Sequence, residues 1–108
     1  MFDEETHFKV LRLLEANPAM SQRDVAQALD VSLGKINFCV KALVRKGLLK
    51  VSNFKNSHNK AAYMYLLTPR GIELKGRLAL RFLHSKTLEY EALQAEILLL
   101  RREAGEQE

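Results

Sequence analysis

The stretch Ser21–Gly47, SQRDVAQALDVSLGKINFCVKALVRKG, decides the fold. It holds two helix starts and one helix stop. Ser21 is a good N-cap, and Asp24, three residues on, can return its hydrogen bond as a capping box. Met20 before the cap and Val25 within the helix form a hydrophobic staple, and Val25, Ala26 and Leu29 make a buried face. Ser32 caps the next helix, where Val31 and Ile36 repeat the staple. Gly47 ends it, because glycine accepts the left-handed dihedrals of a helix stop. Two short helices joined tightly through the apolar Val31 are the outline of a helix-turn-helix.

Working outward, the preceding helix is expected over Asp3–Ala16. Phe8, Leu11 and Leu14 recur at three-residue spacing, and Asn17-Pro18 stops it, since the residue before proline avoids the α region. After Gly47, Leu48–Phe54 and Ala61–Leu67 are short, apolar-rich runs around the polar loop Lys55–Lys60, and they predict a β-hairpin, or wing. Its Asn-rich tip is acceptable turn chemistry. Thr68-Pro69 then restarts a helix, with Thr as N-cap and Pro at the first position, where its missing N–H costs nothing. No proline follows as far as Glu103, so this helix can run some thirty-five residues. Gly71 and Gly76 weaken its start, and a break near His84-Ser85 is an open alternative.

The charge pattern singles out the middle of the chain. The 108 residues carry 17 Lys+Arg and 13 Asp+Glu, net +4. Residues 1–34 are net −3, residues 35–86 are net +11 with Glu73 as their only acid, and residues 87–108 are net −4. Such segregation points to a polyanion met by the middle segment.

The helix after Ser32 opens that segment. At about 100° per residue, Ile36, Val40 and Leu43 mark a core side. Opposite lie Gly34, Phe38, Lys41, Ala42 and Arg45, with Lys35 beside them. Cations suit phosphates or guanine edges, small residues let the backbone approach a groove floor, and an aromatic ring can pack on a thymine methyl. Asn37 flanks this face, where it can read adenine or touch phosphate. The plain alternative is a solvated lysine-rich face, with Phe38 packed on the wing or a neighbouring helix. The wing tip residues Lys55, Asn56, Ser57, His58 and Lys60, with Asn59, offer donors without acids, and Arg70 follows in the first turn after the wing. Ser32 joins this set at the helix start.

Several classes are excluded or disfavoured. The longest apolar run, Ala61–Leu67, has seven residues, too short to span a membrane. The acidic start (Asp3, Glu4, Glu5) is unlike a secretory signal. Cys39, the only cysteine, can form no internal disulfide, which suits a cytoplasmic location. It reads as a small buried hydrophobe, with a redox role left open. Cys39, His7, His58 and His84 lack metal-ligand spacing, and no nucleotide loop or nucleophile elbow occurs, so no metal, cofactor or catalytic residue is expected and the chain is not read as an enzyme.

In the last helix Leu83, Tyr90 and Ile97 repeat every seven residues, with Leu93, Leu100 and the polar Lys86 between them. In that register Glu96 and Arg101 stand where a parallel two-stranded coil forms a salt bridge, although antiparallel pairing stays open. Leu83, Tyr90, Leu93, Ile97 and Leu100 are the expected dimerisation residues. The alternative is a helix that folds back on its own domain.

The bracket Lys46-Gly47-Leu48-Leu49, a hairpin, then Leu67-Thr68-Pro69-Arg70-Gly71, together with Ser21–Leu29, Ile36–Val40 and Leu43, resembles the MarR-type winged helix-turn-helix regulators. The segments SQRDVA, NFCVKAL and NFKNS…YLLTPRGI are similar to a short subgroup associated with exopolysaccharide gene clusters. The resemblance implies a dimeric bacterial transcription regulator with the third helix in the major groove. Two departures stand out. MarR wings usually carry an Asp-x-Arg tip where this chain has Lys55–Lys60, and the flanking helices that frame a MarR ligand pocket are missing. No effector is assigned.

The expected architecture is mainly α with a small β-hairpin. A winged helix-turn-helix DNA-binding domain occupies 1–68. A long C-terminal dimerisation helix occupies 69–108 and ends in a frayed acidic tail. The expected partners are double-stranded DNA and a second copy of the chain, and no membrane. The rival reading is a winged-helix interaction or assembly adaptor that does not bind DNA specifically.

Overall fold

The computed structural model describes residues 3–55 and 61–106. The elements in chain order are α1 (Glu4–Ala16), α2 (Gln22–Leu29), α3 (Leu33–Arg45), β1 (Leu49–Lys55), β2 (Ala61–Leu67) and α4 (Pro69–Glu103). This is the expected mainly α architecture with one hairpin and a long last helix. The chain divides into two compact units, Met1–Leu78 and Ala79–Glu108.

Local chemistry sets most boundaries. Asp3 caps α1, accepting from the backbone N–H of Glu5 and Thr6, and Asn17 is the C-cap ahead of Pro18. The Ser21–Asp24 capping box is formed in both directions. Ser32 accepts from the Lys35 N–H at 3.1 Å. Gly47, at φ 76°, makes the left-handed stop after α3. Asp30 ends α2 at φ 55°, a conformation its short polar side chain tolerates. Thr68 Oγ1 accepts from the Gly71 N–H at 3.1 Å and donates to the Gly47 carbonyl at 2.6 Å, so the cap of α4 is tied to the stop of α3.

The core of the first unit joins one face from each helix with the base of the hairpin. Val10, Leu11, Leu14, Val25, Ile36, Val40, Leu43 and Leu49 are buried, and Tyr65, Leu67 and Leu74 pack against them. The strands are antiparallel, with Leu49 opposite Leu67 and Val51 opposite Tyr65. The β2 backbone is also held outside the hairpin, since the Tyr65 N–H donates to the Pro18 carbonyl at 3.0 Å.

Two features of α4 go beyond what spacing and residue type showed. Gly71 is more than a weak helix former: a Cβ there would lie 2.1 Å from the Leu48 carbonyl oxygen, so only glycine lets α4 cross the strand entrance this closely. The helix also passes His84-Ser85 without a break. At its far end the Glu106 N–H bonds the Arg101 carbonyl and the Gly105 N–H bonds that of Arg102, a glycine-centred turn that satisfies the last carbonyls.

His7 is buried in α1 at 8% exposure. Burial, and secondarily the Lys46 charge, holds its pKa below the ordinary 6.5, against the pull of Asp3 and Glu4. With the folded value depressed, the unfolded chain binds the proton better. The stability present above the ordinary value is therefore lost as pH falls through that value toward the lower folded one. Thermal unfolding should thus show a falling Tm between about pH 7.5 and pH 5. His7→Gln should flatten that fall, and an unchanged profile in the variant would refute the assignment. The lowered pKa of Asp3 acts separately, below its ordinary 3.8.

Candidate nucleic-acid interface

The orientation of α3 governs which side chains can meet a ligand. Ile36, Cys39, Val40, Ala42 and Leu43 are buried, which places the core side about 35° from the direction marked by Ile36, Val40 and Leu43 alone. Ala42, expected on the outer face, points inward at 5% exposure. The physical reason is that α1, α2 and β1 all contact α3, so more of its circumference is covered than its largest side chains suggest. The outer face is then Gly34, Phe38, Lys41 and Arg45, all exposed, with Phe38 at 56%. No acidic residue lies on α3.

The two flanking candidates are engaged within the chain. Lys35 pairs with Asp3 at 3.6 Å, both about half exposed, so its ammonium must exchange a carboxylate for any phosphate. Asn37 is half-buried and donates through Nδ2 to Gln22 Oε1 at 3.1 Å, and Gln22 Nε2 donates to the Tyr65 hydroxyl at 3.1 Å. Ser32 uses its hydroxyl as the α3 cap. Gly34 faces open space, with nothing within 4 Å of an added Cβ. Gly34→Ala should therefore raise helix stability by up to about 1 kcal/mol while weakening DNA binding, because the added methyl stands on the outer face. A melting curve and a duplex titration check both halves, and unchanged affinity would remove Gly34 from the interface.

Arg70 is exposed in the first turn of α4. It shares a cleft of about 450 Å³ with Lys46, Leu48, Glu73, Leu74 and Arg77. Arg77 pairs with Glu73 at 3.6 Å. A second cleft, about 320 Å³, lies beside α3, between Lys41 and Arg45 on one wall and Val51 and Tyr65 on the other. Asn56, Ser57, His58 and Lys60 lie outside the described residues, as does the side chain of Lys55.

Sequence reasoning missed Gln22, Tyr65, Lys46 and Arg77. The last had a signal, since Arg70 and Arg77 stand seven apart and so share one side of a helix. Gln22 and Tyr65 had none, because their contact joins residues 43 apart.

Burial raises the Cys39 thiol to about 11, so it is protonated at neutral pH and sits as a small apolar side chain at 3% exposure. Among the described residues, no three His, Cys, Asp or Glu side chains group to hold a metal, and no helix is long and apolar enough to cross a membrane.

On the second unit, Leu83, Tyr90, Leu93, Ile97 and Leu100 are all exposed, between 43% and 63%. Leu88 and Leu99 add further exposed apolar surface. Lys86, the polar member of the stripe, pairs with Glu89 at 3.3 Å within its own helix.

Comparison with known proteins agrees with this geometry. The sequence model of the winged helix-turn-helix DNA-binding family matches residues 3–50. No curated protein matches the sequence significantly. Among solved structures, the PcaV transcriptional regulator of Streptomyces coelicolor superposes with a TM-score of 0.66 at 24% identity, covering 93% of this chain and 76% of that one. A MarR/EmrR family transcriptional regulator from Acinetobacter sp. ADP1 superposes with 0.61 at 25% identity, covering 93% and 75%. A variant of MepR from S. aureus, bound to an oligodeoxyribonucleotide, superposes with 0.60 at 21% identity, covering 97% and 79%. The chain has the winged helix-turn-helix fold of the MarR-family transcriptional regulators.

Proposed function

We propose that this chain is a sequence-specific regulator of transcription that binds double-stranded DNA as a homodimer in the bacterial cytoplasm. The observation that carries the reading is the outer face of α3, where Lys41 and Arg45 flank an exposed Phe38 on a helix without an acid. In the major groove, Lys41 and Arg45 meet phosphates or guanine edges, and Phe38 packs against a thymine methyl. Lys35 joins them once it leaves Asp3. The wing residues Lys55–Lys60 and Arg70 meet the adjacent backbone or the minor groove. The solved MepR complex with an oligodeoxyribonucleotide, on the same fold, supports this reading.

Homodimerisation accounts for the apolar stripe of the second unit, because contiguous exposed leucines on a single helix mark an interaction surface. A two-fold dimer presents two recognition helices, so the operator should be palindrome-like, with half-sites about 10 bp apart. The link to exopolysaccharide gene clusters rests on the resemblance of SQRDVA, NFCVKAL and NFKNS…YLLTPRGI.

The test is selection of bound duplexes from a random pool, with light scattering on the same protein. The expected result is an enriched inverted repeat and a dimeric mass. A pool that stays random would overturn sequence-specific binding, and a monomer at high micromolar concentration would overturn the dimer.

A further inference from the structure

Gln22 sits between the two parts of the first unit that the regulator reading brings to DNA. Its carbonyl Oε1 accepts from Asn37 on α3, and its Nε2 donates to the hydroxyl of Tyr65 on β2, each at 3.1 Å. One uncharged side chain at the start of α2 therefore holds both the recognition helix and the hairpin. Gln22, Asn37 and Tyr65 are all half-buried, so water competes less for these bonds than at an open surface.

Apolar packing joins α3 and the strands beneath this place, where Val44 and Tyr65 lie against the core. Gln22 and Tyr65 also line the cleft of about 320 Å³, together with Lys41, Arg45 and Val51. Above that packing the cleft is open, and the hydrogen bonds of Gln22 to Asn37 and Tyr65 add a directional tie between the helix and the hairpin. An amide with both ends engaged is directional, so turning either element against the other breaks a hydrogen bond. The Tyr65 end is itself anchored, through its backbone N–H on the Pro18 carbonyl.

We propose that Gln22 is a positioning residue that fixes the recognition helix and the hairpin in one mutual orientation, so that both meet a duplex in a single register. The proposal rests on the regulator reading and adds to it the origin of discrimination. A specific complex needs base contacts from α3 and backbone contacts from the hairpin together, whereas charge-driven binding needs only the cations. Gln22 therefore acts on the preference for the right sequence and leaves salt-dependent affinity alone.

The experiment uses the full chain with two duplexes, the selected sequence and its scrambled form. Gln22→Ala removes both bonds, and Tyr65→Phe removes a single hydroxyl while keeping the ring. Each should lower the preference for the selected duplex about three- to tenfold, the worth of a hydrogen bond or two, with the scrambled affinity and the salt slope unchanged. Asn37→Ala added to Gln22→Ala should cost less than it does alone. Gln22→Glu can accept from both Asn37 and the Tyr65 hydroxyl, so it should restore the preference while weakening both duplexes by its charge. A preference that survives Gln22→Ala and Tyr65→Phe would overturn the proposal, as would equal losses on both duplexes. A wild-type protein with no preference would instead overturn the regulator reading itself.

Discussion

Replacing Gly71 with alanine should destabilise the first unit by roughly 1–3 kcal/mol or more, as overpacking against an unyielding neighbour does. The clash is with backbone, since the added Cβ would stand 2.1 Å from the Leu48 carbonyl oxygen and 3.1 Å from its carbon. That carbonyl cannot swing away cheaply, because it accepts the Thr68 N–H at 3.2 Å and directly precedes Leu49, the buried first residue of β1. Thr68 also bonds the Gly47 carbonyl, so a shift here reaches the end of α3. Gly76 is the control. It lies in the same helix with nothing within 4 Å of an added Cβ, and Gly76→Ala should stabilise by up to about 1 kcal/mol. Two melting curves decide the matter, and a drop in both, or in neither, would refute the close-approach argument.

Affinity for a selected duplex should fall by roughly 10³- to 10⁵-fold between about 50 mM and 200 mM salt, if the dimer neutralises six to ten phosphates. The candidate contacts per protomer are Lys35, Lys41, Arg45, Lys55, Lys60 and Arg70, and residues 35–86 hold Glu73 as their only acid. Lys41→Ala should weaken all sequences alike and lower the salt slope by about one per protomer. Phe38→Ala should relax sequence preference and leave the slope unchanged, because the ring carries no charge. Titrations at four salt concentrations separate the two, and a flat slope for the wild type would remove phosphate neutralisation from the mechanism.

Local features of the fold were legible because their causes are local. Asn17-Pro18, the Ser21–Asp24 box, Ser32, Gly47 and Thr68 each act within a few residues, and each ends or starts an element where its chemistry says. The facing of α3 was only partly legible. Its large apolar residues mark one side, but the inward position of Ala42 depends on neighbours brought in from α1, α2 and β1. The role of Gly71 was hidden for the same reason, since the atom it avoids belongs to Leu48, across the hairpin. Asn37 reads from the helix wheel as a free edge group, and its bond to Gln22 becomes visible only when α2 and α3 are packed. Residue type and spacing thus revealed where charge gathers, while tertiary contacts determine which charges and amides are already engaged.

The Asp3 carboxylate caps α1 and reaches the Lys35 ammonium at the start of α3. Anything fused ahead of Met1 is therefore tethered within a few residues of the start of α3. A histidine tag left there would bring its own titrating charges to the edge of the proposed interface and alter the apparent affinity as the buffer changes. Binding assays on this protein call for a cleaved N-terminus or a tag placed at the other end of the chain.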